Sequence, residues 1–179
     1  MNKRKLPQEK AKSWISIDPA NTSGVAIWRG SELMATGVLR RMGGKGQYTL
    51  RIGGRKVIQS ARIFVWEALI DPAKGIEGVI VEEGAGRFIT ATKAQAKIRG
   101  YIEAVCESNG VPYREINVSE WRRVIKETYS VSFPANSKGC KELSKKLVRQ
   151  GFGIDVSDDE ADACLIGRAA LRLRSLDWM

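Results

Sequence analysis

Histidine is absent from the 179 residues. That absence removes Ser-His-Asp and Cys-His couples, HExxH metal sites and every imidazole general base. Hydrolytic chemistry in this chain would fall to carboxylates, lysines or metal ions. Cysteine is scarce: Cys106, Cys140 and Cys164 are odd in number and far apart. Their spacing fits neither a zinc cluster nor a disulfide framework, and they read as buried or incidental thiols of a reducing cytoplasm. Long apolar runs are missing too. The run Trp14 to Ile17 is too short for a signal-peptide core or a bilayer span, so the expectation is a cytoplasmic protein with no membrane partner. Internal repeats and low-complexity tracts are also absent. Acid is the minority charge, 20 Asp plus Glu against 30 Lys plus Arg, for a net charge of +10 and a pI near 9.7. Such a balance points to a polyanionic partner, nucleic acid ahead of an anionic membrane surface. What is present, 43% hydrophobic residues over a length typical of one domain, is enough to bury a core without staples.

Residues 1–12 form a basic arm, with Lys3, Arg4, Lys5, Lys10 and Lys12 against Glu9. It reads equally as a solvated tail or as a phosphate-contacting segment. Residues 13–179 read as a single domain. Trp14 to Asp18 alternates and reads as a strand; turn chemistry at Pro19 to Gly24 leads to a second strand at Val25 to Trp28 and a third at Glu32 to Leu39. Residues 40–56 change character, Gly43, Gly44, Gly46, Gly53 and Gly54 interleaving with basic residues, and read as a mobile basic loop or hairpin with a short strand at Tyr48 to Ile52. Ile58, Ala61, Val65 and Leu69 recur at helical spacing. Gly78 to Glu82 reads as a buried strand. Ala91 to Ser108 reads as a helix with Ala94, Ile98, Tyr101, Ile102 and Val105 on one face. Val111 to Ile116 is a fifth strand, followed by helices from Ser119 and Ser137. Ser157-Asp-Asp-Glu160 fits a capping box that opens the last helix. Three antiparallel strands followed by helix-linked parallel strands predict an α/β fold, a mixed five-stranded sheet with helices on both faces.

Three segments place acids at the ends of otherwise apolar elements: Asp18, Glu82-Glu83, and Asp158, Asp159 and Asp162. Acids seldom lie beside a core unless paired or metal-bound. With the fourth strand beside the first, Asp18 and Glu82 would face each other. Asp159 and Asp162, three apart, share a helix face. An all-oxygen set suits Mg²⁺ or Mn²⁺ rather than zinc. Taken singly, each acid has a plainer reading: Asp18 as a turn-former before proline, Asp158 and Asp159 as first-turn acids, Glu82-Glu83 as a solvated strand end.

Ile17-Asp18-Pro19 through Gly24, then Val81-Glu82-Glu83, then Asp159-Glu-Ala-Asp162-Ala163 resembles the RuvC-type Holliday-junction resolvases of the ribonuclease H-like superfamily. The resemblance extends from about Trp14 to Ala170 and includes Arg99-Gly100 and Pro112. It departs from the family at Ala20, where a glycine is usual, at Glu83, where a neutral residue is usual, and at the glycine-rich insertion 40–56. That insertion looks more like divergent viral relatives, hence a phage or other virus and the host-cell cytoplasm. The resemblance implies that Asp18, Glu82, Asp159 and Asp162 hold two Mg²⁺ ions, with Mn²⁺ as a substitute, and that Asp18 bridges them. It further implies symmetric paired incisions by a homodimer on four-way junctions and other branched DNA, in recombination and repair, leaving 5′-phosphate and 3′-hydroxyl ends. Arg122 and Lys141 resemble the family's basic residues near the site. Phe88, after Arg87, resembles an aromatic that stacks on a base. Lys45 and Arg51 of the insertion join the candidate DNA contacts.

Other readings stand beside this one. A phosphate-binding ATPase of the actin and sugar-kinase type shares the strand-ending Asp and Thr-Gly hairpin but needs two such domains. A non-catalytic nucleic-acid-binding protein would use the same basic surface, yet the carboxylates would oppose phosphate binding. A ribonuclease H-like nuclease acting on RNA–DNA hybrids or flaps differs only in substrate.

Overall fold

The computed structural model describes residues 12–42, 45–52, 55–61, 69–84 and 89–173, with side chains described outside 41–61 and 89–92. The basic arm before residue 12, residues 62–68 of the expected helix, and Arg87 and Phe88 lie outside the described residues.

Strands β1 (Ser13–Asp18), β2 (Thr22–Arg29) and β3 (Glu32–Met42) form the antiparallel meander. Strand β6 (Ile76–Glu83) lies parallel to β1, and β7 (Tyr113–Asn117) parallel to β6. The expected mixed sheet is there, extended by two further antiparallel strands, β4 (Lys45–Ile52) and β5 (Arg55–Ala61). The seven-stranded order is β5-β4-β3-β2-β1-β6-β7. The hairpin is thus a regular part of the sheet, and over 57–61 a strand replaces the start of the helix that the spacing of Ile58 and Ala61 predicts. Pairing decides this: the register closes Met42 on Lys45 and Ile52 on Arg55, so each link is a Gly-Gly pair, a sequence favoured in two-residue hairpins.

The helices are α1 (Ile89–Ser108), α2 (Val118–Tyr129), α3 (Ser137–Phe152) and α4 (Asp158–Arg172). Alternation along β1 divides the core between the two faces of the sheet. Trp14 joins Trp28, Trp121, Leu147 and the apolar side of α4, whereas Ile15 and Ile17 join Ile102, Val105 and Cys106 of α1. Tyr101, expected on the buried face of α1, is instead 39% exposed, because the face turned to the sheet is centred on Ile102, Val105 and Cys106. Cys106, Cys140 and Cys164 are free thiols.

A buried hydrogen-bond chain ties α4 to the sheet. The Trp28 indole N–H donates to Ser16 Oγ at 2.8 Å, and that hydroxyl donates to the Ala163 carbonyl at 2.7 Å. Trp28 stacks on Trp14 with centroids 5.2 Å apart. Gly167 leaves room for this indole, since a Cβ there would sit 2.4 Å from its nitrogen. Ser16→Ala strands the indole N–H in the core. We expect a loss of about 1–3 kcal/mol, read by urea unfolding; a change within error would show that the chain adds nothing to α4 docking.

Candidate active site

The parallel register pairs Ile17 with Val81, so Asp18 and Glu82 are neighbours at the carboxyl ends of β1 and β6. Burial pushes the Asp18 carboxyl well above its ordinary range, and Glu82, Asp162 and Asp159 push it in the same direction, with Lys141 opposing. Burial likewise raises Glu82, to about 7. The pleat separates the two glutamates. Glu82 turns to α2, where the buried Trp121 indole N–H donates to its Oε2 at 2.7 Å. Glu83 is exposed and accepts from Asn117 Nδ2 at 3.0 Å.

The other two acids depend on how α4 begins. Ser157 caps it in the expected box. The Ser157 N–H and hydroxyl donate to Glu160 Oε2 at 2.9 and 2.7 Å, and Thr36 Oγ1 of β3 donates to Oε1 at 2.9 Å. Glu160, 2% exposed, is therefore a fully engaged carboxylate that fastens the first turn of α4 to β3. Close approach does the rest. A Cβ on Gly24, the β2 partner of Asp18, would lie 1.8 Å from the Asp159 carbonyl oxygen, so the helix backbone rests on the strand only because position 24 has no side chain.

Asp159 and Asp162 thereby come beside Asp18. Burial raises both carboxyls, and Lys141 opposes the shift in each; the Ser144 hydroxyl and Arg122 also oppose it at Asp162. Ser144 is 1% exposed and its Oγ closes no well-formed hydrogen bond, which leaves a donor next to Asp162. Asp158 differs from the group in being paired with lysines: Lys145 hydrogen-bonds it at 3.0 Å and lowers its carboxyl, with Lys141 at 3.6 Å. Arg122 lies over the rings of Trp121 and Phe133, 5.2 and 5.3 Å from their centroids, and its charge reaches Glu82 and Asp162. Arg40, at the end of β3, reaches Asp159 and completes a basic rim with Arg122 and Lys141. Its place in the basic stretch 40–56 gave no sign of this; its pairing with Thr22 across β2 and β3 does.

The structure thus brings together Asp18, Glu82, Asp159 and Asp162, with Arg122 and Lys141 beside them. Lys45 and Arg51 sit on β4, where the backbone alone is described. A cavity of about 300 Å³ bounded by Ser31, Glu32, Phe152 and Arg168 contains none of the carboxylates. Among the described residues no three acids are gathered closely enough to grip an ion as they stand; four half-buried carboxylates repel one another in the absence of a counter-charge. As a donor set, all oxygen and all hard, they fit a divalent cation of the Mg²⁺ type.

No protein-family model and no curated protein matches the chain. Among solved structures it is similar to T. thermophilus RuvC in complex with a Holliday junction substrate, at a TM-score of 0.53 and 17% identity, covering 92% of this chain and 96% of that one. A second structure of Thermus thermophilus RuvC aligns at a TM-score of 0.49 and 16% identity, over 91% and 96% of the two chains. At this identity the likeness is one of fold: the chain has the RuvC, ribonuclease H-like α/β fold over most of its length.

Proposed function

We propose that the protein is a divalent-metal-dependent, structure-specific endodeoxyribonuclease that resolves four-way DNA junctions by paired phosphodiester hydrolysis, acting as a two-fold homodimer. The observation that carries this reading is the convergence of four half-buried carboxyl groups from three separate elements, each raised above its ordinary range. Such repulsion is costly and has no structural use, because Glu160 and the Trp28–Ser16 chain already dock α4. The similar RuvC structure holds a Holliday junction substrate, which favours branched DNA as the substrate here.

Asp18, central to the group, with Glu82, Asp159 and Asp162 would hold the Mg²⁺ or Mn²⁺ ions. When bound, such ions supply an activated water and neutralise charge at the leaving 3′ oxygen. The residues of the chain do the remaining work. Trp121 fixes the Glu82 carboxylate through its indole N–H. Arg122, seated against two rings, and Lys141 and Arg40 offer charge to the scissile strand at the rim. Two symmetric incisions require two such sites, hence the dimer.

Incubating the protein with labelled four-way junction, three-way junction, flap, RNA–DNA hybrid and duplex, with Mg²⁺ or EDTA, tests the reading. Paired symmetric cuts in the four-way junction, abolished by EDTA, and a dimer mass by light scattering are expected. Faster cutting of hybrids or flaps would replace the junction as substrate, and binding without cleavage of any member would overturn catalysis. Within the same assay, Glu82→Gln should lose about 10²-fold or more of the incision rate. Glu83→Gln should stay within a few fold, since Glu83 faces solvent and Asn117. The reverse order would place the site on the other face of β6.

A further inference from the structure

Strands β4 and β5 carry a charge pattern that the carboxylate site does not use. From Met34 to Trp66 seven residues are Lys or Arg and none is Asp or Glu. Register sorts these residues between the two faces. Ser16 and Thr36, which bond to α4, define the site face of β1 and β3. Thr36 pairs with Arg51 and Arg51 with Lys56, while Arg40 pairs with Gln47 and Gln47 with Ser60. Paired residues share a face and alternate ones return to it. Arg40, Lys45, Gln47, Thr49, Arg51 and Lys56 are therefore placed on the face that carries Asp18. Tyr48, Leu50, Ile52 and Val57 are placed on the opposite face, with Leu39, which is buried in the α1-side core.

The two faces of the hairpin thus differ in charge: three of the four basic residues of β4 and β5 are placed on the site face together with Ile58, and Arg55 alone is placed on the other. The row Asp18–Gly24–Val38–Thr49–Ile58 leads from the site to the edge strand, passing beneath the first turn of α4 at Gly24 and continuing from Val38, with Arg40 on one side of it and Arg51 and Lys56 on the other. From Val38 to Ile58 it crosses two strand spacings, about 10 Å. A duplex of that length carries about six phosphates on its two strands, part of them turned to the sheet. We infer that the β4–β5 hairpin is a platform that carries one double-stranded arm of the DNA substrate by its phosphates, in line with the incision site. The inference rests on the nuclease reading above and adds where the uncut arm lies.

Basic residues on an edge strand also discourage pairing between sheets. For that purpose the face is immaterial, so a comparison of the two faces separates the roles. Binding of a fluorescein-labelled four-way junction is measured by anisotropy in EDTA across a salt series, for the intact chain, for K45Q/R51Q/K56Q on the site face, and for R41Q/R55Q on the other. Removing one cation that neutralises a phosphate flattens the dependence of log K on log salt by about 0.9. The site-face triple should be shallower by about 2.7 and bind at least tenfold more weakly near 0.1 M salt. The opposite-face pair should match the intact chain. Single R51Q and K56Q proteins, each expected to flatten the slope by about 0.9, carry the test if thermal unfolding shows the triple to be misfolded. Equal losses from the two faces, or an unchanged slope in the site-face variants, would overturn the platform and leave the nuclease reading standing. An intact chain that binds no junction at any salt would overturn both.

Discussion

Asp18→Asn should lower the rate of Mg²⁺-dependent junction incision by about 10³-fold or more, equivalent to about 4 kcal/mol of transition-state stabilisation. Junction affinity measured in EDTA should hold or rise. Asp18 is the acid on which the other three act, and an amide of the same shape keeps the strand end while removing the charge that would hold the cations. The same substitution should make the metal-free protein more stable at neutral pH, because it removes a carboxylate whose ionisation is opposed by desolvation and by Glu82, Asp162 and Asp159. The sign follows from linkage. An acid whose folded pKa is raised holds its proton in the folded state over a range where the unfolded chain has released it, so stability falls as pH rises through that range. For Glu82 the range runs from 4.5 to about 7, a loss on the order of 3 kcal/mol. Urea unfolding in EDTA should therefore show the intact chain less stable at pH 8 than at pH 5, with a smaller difference in Asp18→Asn. Mg²⁺ should restore stability at pH 8 to the intact chain and much less to the variant. Full incision by Asp18→Asn, or stability of the metal-free chain that climbs with pH, would remove the basis for a cation site here.

Gly24→Ala should have the largest effect of any substitution that leaves all charges in place. The added methyl would begin 1.8 Å from the Asp159 carbonyl oxygen and 2.3 Å from its carbon. Both are backbone atoms and cannot swing aside, so the first turn of α4 must retreat from β2. We expect about 3 kcal/mol of destabilisation. Incision should be lost even at temperatures where the protein remains folded, because Asp159 and Asp162 move with the turn. Denaturant titration and a junction assay at low temperature check the two effects separately. A Gly24→Ala protein of normal stability and activity would show that α4 does not rest on β2 at this position.

Much of the arrangement is legible in the residues themselves. Alternation at Trp14–Asp18, the apolar run ending in Glu82 and the capping box at Ser157 are local signals, and each maps onto an element that carries one acid or more. The choice between Glu82 and Glu83 follows from the pleat once the strand is placed. The hairpin was harder because Ile58 and Ala61 also satisfy helical spacing, and an edge strand draws its definition from a partner rather than from its own period. The better signal was the pair of Gly-Gly links. Glu160 and Thr36 are 124 residues apart, and no local pattern announces that a carboxylate between two site aspartates serves as an anchor. Gly24 did carry a signal, a glycine inside a strand, which marks close backbone approach.

The chain that joins Trp28, Ser16 and Ala163 closes over 147 residues of sequence, and the Thr36–Glu160 bond is nearly as distant. Loops of that length close late in folding, after the meander and the helical hairpins have gathered from near neighbours. The last helix therefore delivers Asp159 and Asp162 to Asp18 and Glu82 only when the sheet beneath is already rigid. Mutual repulsion among the four acids is thereby deferred to the final docking event, where a finished scaffold can bear it, and a chain still being synthesised has no assembled site with which to cut.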